Sequence, residues 1–201
     1  MTIDPESINW AKGDGLIPAV VQHARDGRML MLGYMNREAL AQTQQTGNVT
    51  FFSRSRQRLW SKGETSGNRL VVNSIHIDCD ADTLLVVADP AGPVCHRGTA
   101  TCFDDAAAPA LLFLGRLDAL IEQRERERPA NSYTTKLFES GVRAIAQKVG
   151  EEGVETALAG VVQDDAALLG EAADLIFHLQ VLLRARGLSL GDVAAKLAQR
   201  H

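Results

Sequence analysis

The chain has 201 residues, with 45% from the AVILMFWYC set and 23% charged. That is ordinary globular composition, long enough for one full domain or two small ones, and it excludes an intrinsically disordered chain. Net charge is −4, and a division at residue 108 leaves −2 on each side, which argues against a basic nucleic-acid module in either half.

The first half reads as short strands. Leu16–Gln22 and Met29–Tyr34 flank Asp26-Gly27, a hairpin turn signal. Asn36 can cap a short helix over Arg37–Gln44, which Gly47 would stop. Val49–Ser53, Leu59–Ser61, Leu70–Ile77 and Thr83–Val87 are predicted as further strands. The stretch Asp104–Ala110, DDAAAPA, reads as a linker. Beyond it the pattern is helical. Helices are expected over Leu111–Arg126, from a cap at Asn131 or Ser132 through Lys148, over about 150–162, over Ala166–Arg186, and over Leu190–Arg200 behind Ser189 or Asp192. The expectation is two domains, a strand-rich α+β domain over 1–108 and an all-α helical bundle over 109–201. No apolar run approaches the roughly 20 residues that span a bilayer. The N-terminus MTIDPESINW has no cationic start followed by an apolar stretch. A soluble, cytoplasmic protein is expected, with no membrane and no nucleic-acid partner, and its three Cys would then be thiols rather than halves of disulfides.

Three clusters carry chemistry. The first is Asp78-Cys79-Asp80-x-Asp82 with Cys95-His96 and Cys102. On an extended segment Asp78, Asp80 and Asp82 would share one face and Cys79 the other. Carboxylates are hard ligands suited to Mg²⁺ and thiolates soft ones suited to Zn²⁺. If all three Cys bind one Zn²⁺, an open position follows unless His96 fills it. His96 is thus either a fourth ligand or a proton carrier beside the metal. The plainer alternatives are a solvated acidic edge and three thiols buried as small hydrophobes. His23, His76 and His178 read as structural.

The second cluster runs from Trp60 to Asn68. Backbone amides around Gly63 and Gly67, with Lys62, Glu64, Thr65, Ser66 and Asn68, suit a phosphate group, and Trp60 can stack on a base. An ordinary polar hairpin loop has the same composition. Arg54, Arg56 and Arg58 at period two read as a solvated strand face that can also hold phosphates. The third cluster is Glu151-Glu152-x-x-Glu155 followed by Glu171-x-x-Asp174. Glu171 and Asp174 lie in an apolar helix, where unpaired buried carboxylates cost several kcal/mol. A divalent cation gripped by five acids across two helices removes that cost. Lys148 and Ser132-Tyr133-Thr134 can meet phosphate oxygens, or can serve as a helix-surface partner and a cap.

Residues Leu16–Phe103 resemble the phosphoribosyl-AMP cyclohydrolases of histidine biosynthesis. The resemblance rests on Met31-Leu32-Gly33-Tyr34-Met35-Asn36, Phe52 to Arg56, Trp60 to Asn68, Asp78 to Asp82, and Gly92-Pro93-Val94-Cys95-His96-Arg97-Gly98 with Cys102-Phe103. It implies a homodimer with Zn²⁺ on Cys79, Cys95 and Cys102 shared across the interface, and Mg²⁺ on Asp78, Asp80 and Asp82. The implied reaction is attack of a zinc-activated water on C6 of the adenine ring, opening N1–C6, with His96 as candidate proton carrier. Residues 112–183 resemble the phosphoribosyl-ATP pyrophosphatases through Ser132-Tyr133-Thr134, Leu137-Phe138, Gly141, Lys148 to Glu152, Glu155, and Glu171 to Leu175. This implies Mg²⁺ on the second acidic set, Glu152 as a catalytic carboxylate, and release of pyrophosphate. The product of one reaction is the substrate of the other, so a bifunctional hydrolase acting on small nucleotides is expected. Two rivals are a zinc-stabilised binding module on a helical dimerisation domain, and a nucleotide pyrophosphatase whose first domain only recognises a base.

Overall fold

A computed structural model describes residues 2–103 and 109–200; residues 104–108 of the expected linker lie outside the described residues. The chain divides into two units, Met1–Leu112 and Phe113–His201.

The first unit is α+β. Its elements are β1 (Ile17–His23), β2 (Met29–Met35), α1 (Arg37–Thr46), β3 (Thr50–Ser53), β4 (Arg58–Ser61), β5 (Leu70–Ile77) and β6 (Leu84–Pro90). β2, β1, β6 and β5 form one sheet in that order, and β3 pairs with β4 in a separate hairpin. β1 runs antiparallel to β2 and parallel to β6. Pro18 has no N–H for a ladder, and the pairing of β1 with β6 begins one residue later, at Ala19. Alternation places Ile17, Ala19 and Val21 of β1 and Leu84, Val86 and Ala88 of β6 on the buried face. Phe51, Leu40, Met35 and Leu70 complete that core. Asn36 caps α1 by accepting from Ala39 N, and Gly47 ends it at φ 69°. Residues 54–57 are the turn of the β3–β4 hairpin, so the three Arg do not line one strand face. Two short 3-10 turns, Pro5–Ser7 and Trp10–Gly13, precede β1, and the sequence pattern did not predict them.

The second unit holds α2 (Leu112–Glu127), α3 (Tyr133–Val162), α4 (Asp165–Ala185) and α5 (Leu190–Ala198). Ile121, Leu137, Ile145 and Val181 form its core. The expected break near residue 149 is absent. Gly150 and Gly153 are absorbed into α3, and the interruption falls instead at Gly141, at φ 83° and ψ 165°. Glycine enters that region with little cost. Ser189 caps α5 and Asp192 returns the bond to the Ser189 N–H, a reciprocal capping box. By length and mean hydropathy (1.5) α4 is long and apolar enough to cross a membrane, but no apolar run within it approaches 20 residues. It carries Glu171, Asp174 and His178 within its length, and Glu171 joins the acidic cluster described below.

Candidate active sites

The acidic segment after β5 is a turn, not a strand. Ala81 takes φ 62°, and Asp78 Oδ1 accepts from the backbone N–H of both Asp82 and Thr83 at 3.0 Å. Chain reversal, rather than strand alternation, therefore gathers the three acids. One carboxylate oxygen from each of Asp78, Asp80 and Asp82 falls within 4.8 Å of the others. Lys12 reaches into this turn from the N-terminal segment. Its Nζ donates to Asp80 Oδ2 at 2.5 Å and Asp82 Oδ2 at 2.9 Å. The Lys12 bond holds the Asp80 carboxyl below the usual carboxylate range. An ammonium thus bridges two of the three acids, whose oxygens are hard donors of the kind that suit Mg²⁺.

The three Cys are thiols. Cys95 is buried, whereas Cys79 and Cys102 are exposed. Among the described residues their sulfurs do not gather within 4.8 Å in one chain, so the expected three-thiolate set is not assembled by a single copy. The Cys95 loop is held by Cys95 N–H to Thr99 O and Gly98 N–H to Cys95 O, each 3.0 Å. Cys102 N–H donates to Leu30 O at 2.8 Å, so β2 fixes the end of this segment. His96 is exposed, with Nδ1 3.9 Å from Cys95 Sγ.

The Trp60–Asn68 loop is drawn to the Cys95 loop. A Cβ on Gly92 would lie 2.4 Å from Asn68 Oδ1, and one on Gly63 2.5 Å from the Asn68 carbonyl. The bond from Ala91 N–H to Arg69 O, 2.9 Å, ties the same two loops. Asn68 therefore stands beside the Cys95 segment because two residues without side chains make room for it. The other members divide. Glu64 is committed to Ser61 N–H and to Arg58. Ser66 Oγ accepts from Asn68 N–H. Trp60 packs on Phe51 with ring centroids 5.1 Å apart. Thr65 is exposed and Lys62 half-buried.

In the helical unit, Glu152 and Glu155 of α3 and Glu171 of α4 bring one oxygen each within 4.8 Å. Only Glu152 is buried, at 6% exposure. Glu171 is half-buried and Asp174 exposed, so the expected burial of both is corrected: the apolar neighbours of Asp174 on α4 do not enclose it in the single chain. Partial desolvation beside its neighbours, with the Glu152 and Glu171 charges, raises the exposed Glu155 carboxyl above its ordinary range. Three acids crowded together, with one ammonium at their edge, suit a divalent cation. Glu151 and the Asp174 carboxylate are not in this group. Glu151 accepts from Lys148 and Gln147, both at 2.8 Å, and the Lys148 bond lowers its pKa. Lys148 Nζ is also 3.4 Å from Glu152 Oε1. Ser132 caps α3 by accepting from Thr135 N–H.

Comparison with known proteins matches residues 31–104 to the phosphoribosyl-AMP cyclohydrolase family and residues 114–201 to the phosphoribosyl-ATP pyrophosphohydrolase family. A histidine biosynthesis bifunctional protein HisIE of Xanthomonas axonopodis pv. citri is 68% identical over 201 residues, covering 100% of this chain and 96% of that one. The protein of the same name from Escherichia coli is 58% identical over 194 residues, covering 96% and 95%. The chain belongs to this bifunctional family. It is an enzyme of histidine biosynthesis that joins a phosphoribosyl-AMP cyclohydrolase to a phosphoribosyl-ATP pyrophosphohydrolase. β1 and the segment bearing Lys12 lie before the part matched to the cyclohydrolase family.

Two positions in this bifunctional chain escaped the sequence reading. Lys12 had no signal, because its partners lie about 70 residues away in the chain. His178 was read as structural, yet it stands 3.6 Å from Glu152 Oε1. Its position, four residues after Asp174 and seven after Glu171, places it on the acidic side of α4, and that spacing was available in the sequence.

Proposed function

We propose that the two reactions use separate metal-dependent sites, one in each unit. Phosphoribosyl-ATP is cleaved in the helical unit to phosphoribosyl-AMP and pyrophosphate, and phosphoribosyl-AMP is opened at N1–C6 in the first unit. The carrying observation is the convergence of Glu152, Glu155 and Glu171 from two helices beside Lys148. Acids that can hold a cation, with an ammonium at their edge, support a polyphosphate substrate. Glu152 acts as the buried catalytic carboxylate, with Glu155 and Glu171 as Mg²⁺ ligands. Glu151 and Asp174 join the ligand set from the same helix turns, and Lys148 and Ser132 take phosphate oxygens.

In the first unit Asp78, Asp80 and Asp82 hold Mg²⁺, and Cys79, Cys95 and Cys102 hold Zn²⁺. When bound, zinc supplies a Lewis acid that makes water nucleophilic near neutral pH. His96, exposed beside Cys95, moves the proton to the purine nitrogen. Asn68, Lys62, Thr65 and Ser66 bind the ribose phosphates, Glu64 orients the loop through Ser61 and Arg58, and Trp60 walls the base pocket. The thiols are apart in one chain, so the zinc set is completed by a second copy. This makes the working enzyme a homodimer, acting in the cytoplasm on small nucleotides.

The test supplies phosphoribosyl-ATP with Mg²⁺ and Zn²⁺ and follows pyrophosphate and purine absorbance separately. Cys95→Ser is expected to abolish ring opening and spare pyrophosphate release. Glu152→Gln is expected to abolish pyrophosphate release and spare ring opening of supplied phosphoribosyl-AMP. Loss of both activities in either folded variant defeats the proposal of two separate sites.

A further inference from the structure

The roles proposed so far use neither Tyr133 nor His178. His178 is buried, at 4% exposure, in the middle of α4. Its Nδ1 is 2.9 Å from the Asp174 carbonyl oxygen, which can only accept. In the neutral imidazole the proton therefore sits on Nδ1, and Nε2 is left as an acceptor. Nε2 is 2.9 Å from Tyr133 Oη, so in that neutral form the phenol donates its hydrogen to His178. The ring edges agree with this arrangement: Tyr133 and His178 meet at 89°, and Tyr133 lies over Phe177 at 6.2 Å. Tyr133 itself is half in solvent, at 52% exposure, in the first turn of α3.

The consequence concerns what Tyr133 can bind. Phosphate oxygens are acceptors at neutral pH, and a phenol whose hydrogen is already committed offers only a lone pair. With its hydrogen turned to His178, Tyr133 presents its oxygen to a substrate as an acceptor. Its oxygen suits a hydroxyl hydrogen, and a phosphoribosyl nucleotide carries such groups on its riboses. We infer that Tyr133 accepts a hydrogen bond from a ribose hydroxyl of the substrate, and that His178 is the positioning residue that fixes the Tyr133 hydroxyl for it. On the other side His178 borders Glu152 at 3.6 Å. One imidazole thus sets the distance between the buried carboxylate and the surface phenol. This inference rests on the pyrophosphohydrolase site proposed above.

Tyr133→Phe removes one half-exposed oxygen and leaves the ring stack, so folding is retained. It is expected to raise KM for phosphoribosyl-ATP about 10-fold with kcat nearly unchanged, because the contact is remote from the bond that breaks. His178→Gln, which keeps an acceptor, is expected to lose less than His178→Ala. The double variant Tyr133→Phe/His178→Ala is expected to be no worse than His178→Ala alone, since both act through one contact. In the ¹⁵N spectrum of the full chain, assigned with His178→Gln, His178 is expected to carry its proton on Nδ1, and its Nε2 signal is expected to move in Tyr133→Phe. Unchanged KM in Tyr133→Phe, additive losses in the double variant, or a proton on Nε2 of the neutral ring would each overturn the inference. If Glu152→Gln keeps full pyrophosphate release, the underlying site assignment fails. If that variant is dead while Tyr133→Phe behaves as wild type, only the present inference fails.

Discussion

Lys12 Nζ lies 2.5 Å from Asp80 Oδ2, and the Lys12 ammonium is held charged above its usual range by Asp80 and then Asp82. The segment that delivers it is anchored independently. Asn9 N–H donates to Ala81 O at 2.7 Å, inside the acidic turn itself, and Trp10 is buried in the core. Lys12 thus competes for the oxygens that a divalent cation would use. Replacing it by Met is expected to tighten Mn²⁺ binding several-fold at this turn, since it frees two carboxylate oxygens and removes only an exposed ion pair. Calorimetric titration of the full chain reads this out, with Asp80→Asn identifying the site. Equal or weaker binding by Lys12→Met would count against competition.

The loop contact at Gly92 predicts a change in activity without a change in fold. A methyl group there would meet Asn68 Oδ1 at 2.4 Å. Because that atom is the tip of a side chain, Asn68 swings away while the backbone stays. Gly92→Ala is expected to slow ring opening about 10- to 100-fold, as a small misplacement near reacting groups does. Pyrophosphate release and the melting temperature should be unaltered. Parallel assays of the two activities on one sample decide it.

Gly33 predicts the opposite. It sits on β2, and a Cβ there would fall 2.3 Å from Cδ1 of Phe51, a fully buried ring. The neighbour cannot retreat into solvent. Gly33→Ala is expected to cost about 1–3 kcal/mol through overpacking, read as a lower denaturant midpoint for the first unit. A midpoint equal to wild type would mean that the core yields more than its burial indicates.

His23 makes the first unit sensitive to acid. Burial lowers its pKa from 6.5, against the opposing charge of Asp26. Its Nδ1 faces the backbone N–H of Asp26 at 3.2 Å and of Arg25 at 3.3 Å, and also Asp26 Oδ1 at 2.9 Å, the contact that opposes the effect of burial. Burial outweighs it, so the folded state binds the proton less readily than the unfolded chain. Stability is present above about pH 6.5 and falls as the pH drops from there toward the folded-state pKa. Melting temperatures between pH 7.5 and 5 are expected to decline, and His23→Gln should flatten that part of the curve. An unaltered slope would assign the acid sensitivity to other groups.

The strand pattern, the Asn36 and Ser189 caps and the two-unit organisation were legible in the sequence, because alternation and capping depend on neighbours one to four residues apart. The pairing of Glu152 with Glu155 was legible for the same reason. Other features were not. The acidic triplet looked like one face of a strand, but Ala81 turns the chain, and the acids gather by reversal. The helix break looked due near residue 149, but Gly150 and Gly153 continue the helix while Gly141 interrupts it, since a glycine permits a break without requiring one.

Local order thus determined which residue types this protein brings to its chemistry: three thiols, two acidic sets and a Gly-rich loop. Tertiary structure alone decided which of them meet. It put Lys12 among the aspartates, Asn68 against Gly92, and His178 between Glu152 and Tyr133, and it kept Glu151 with Lys148 instead of the acidic cluster. The physical reason is range: helix and strand periodicity act over a few residues, whereas a charge or hydrogen bond depends on distance in space, which only the packed chain defines.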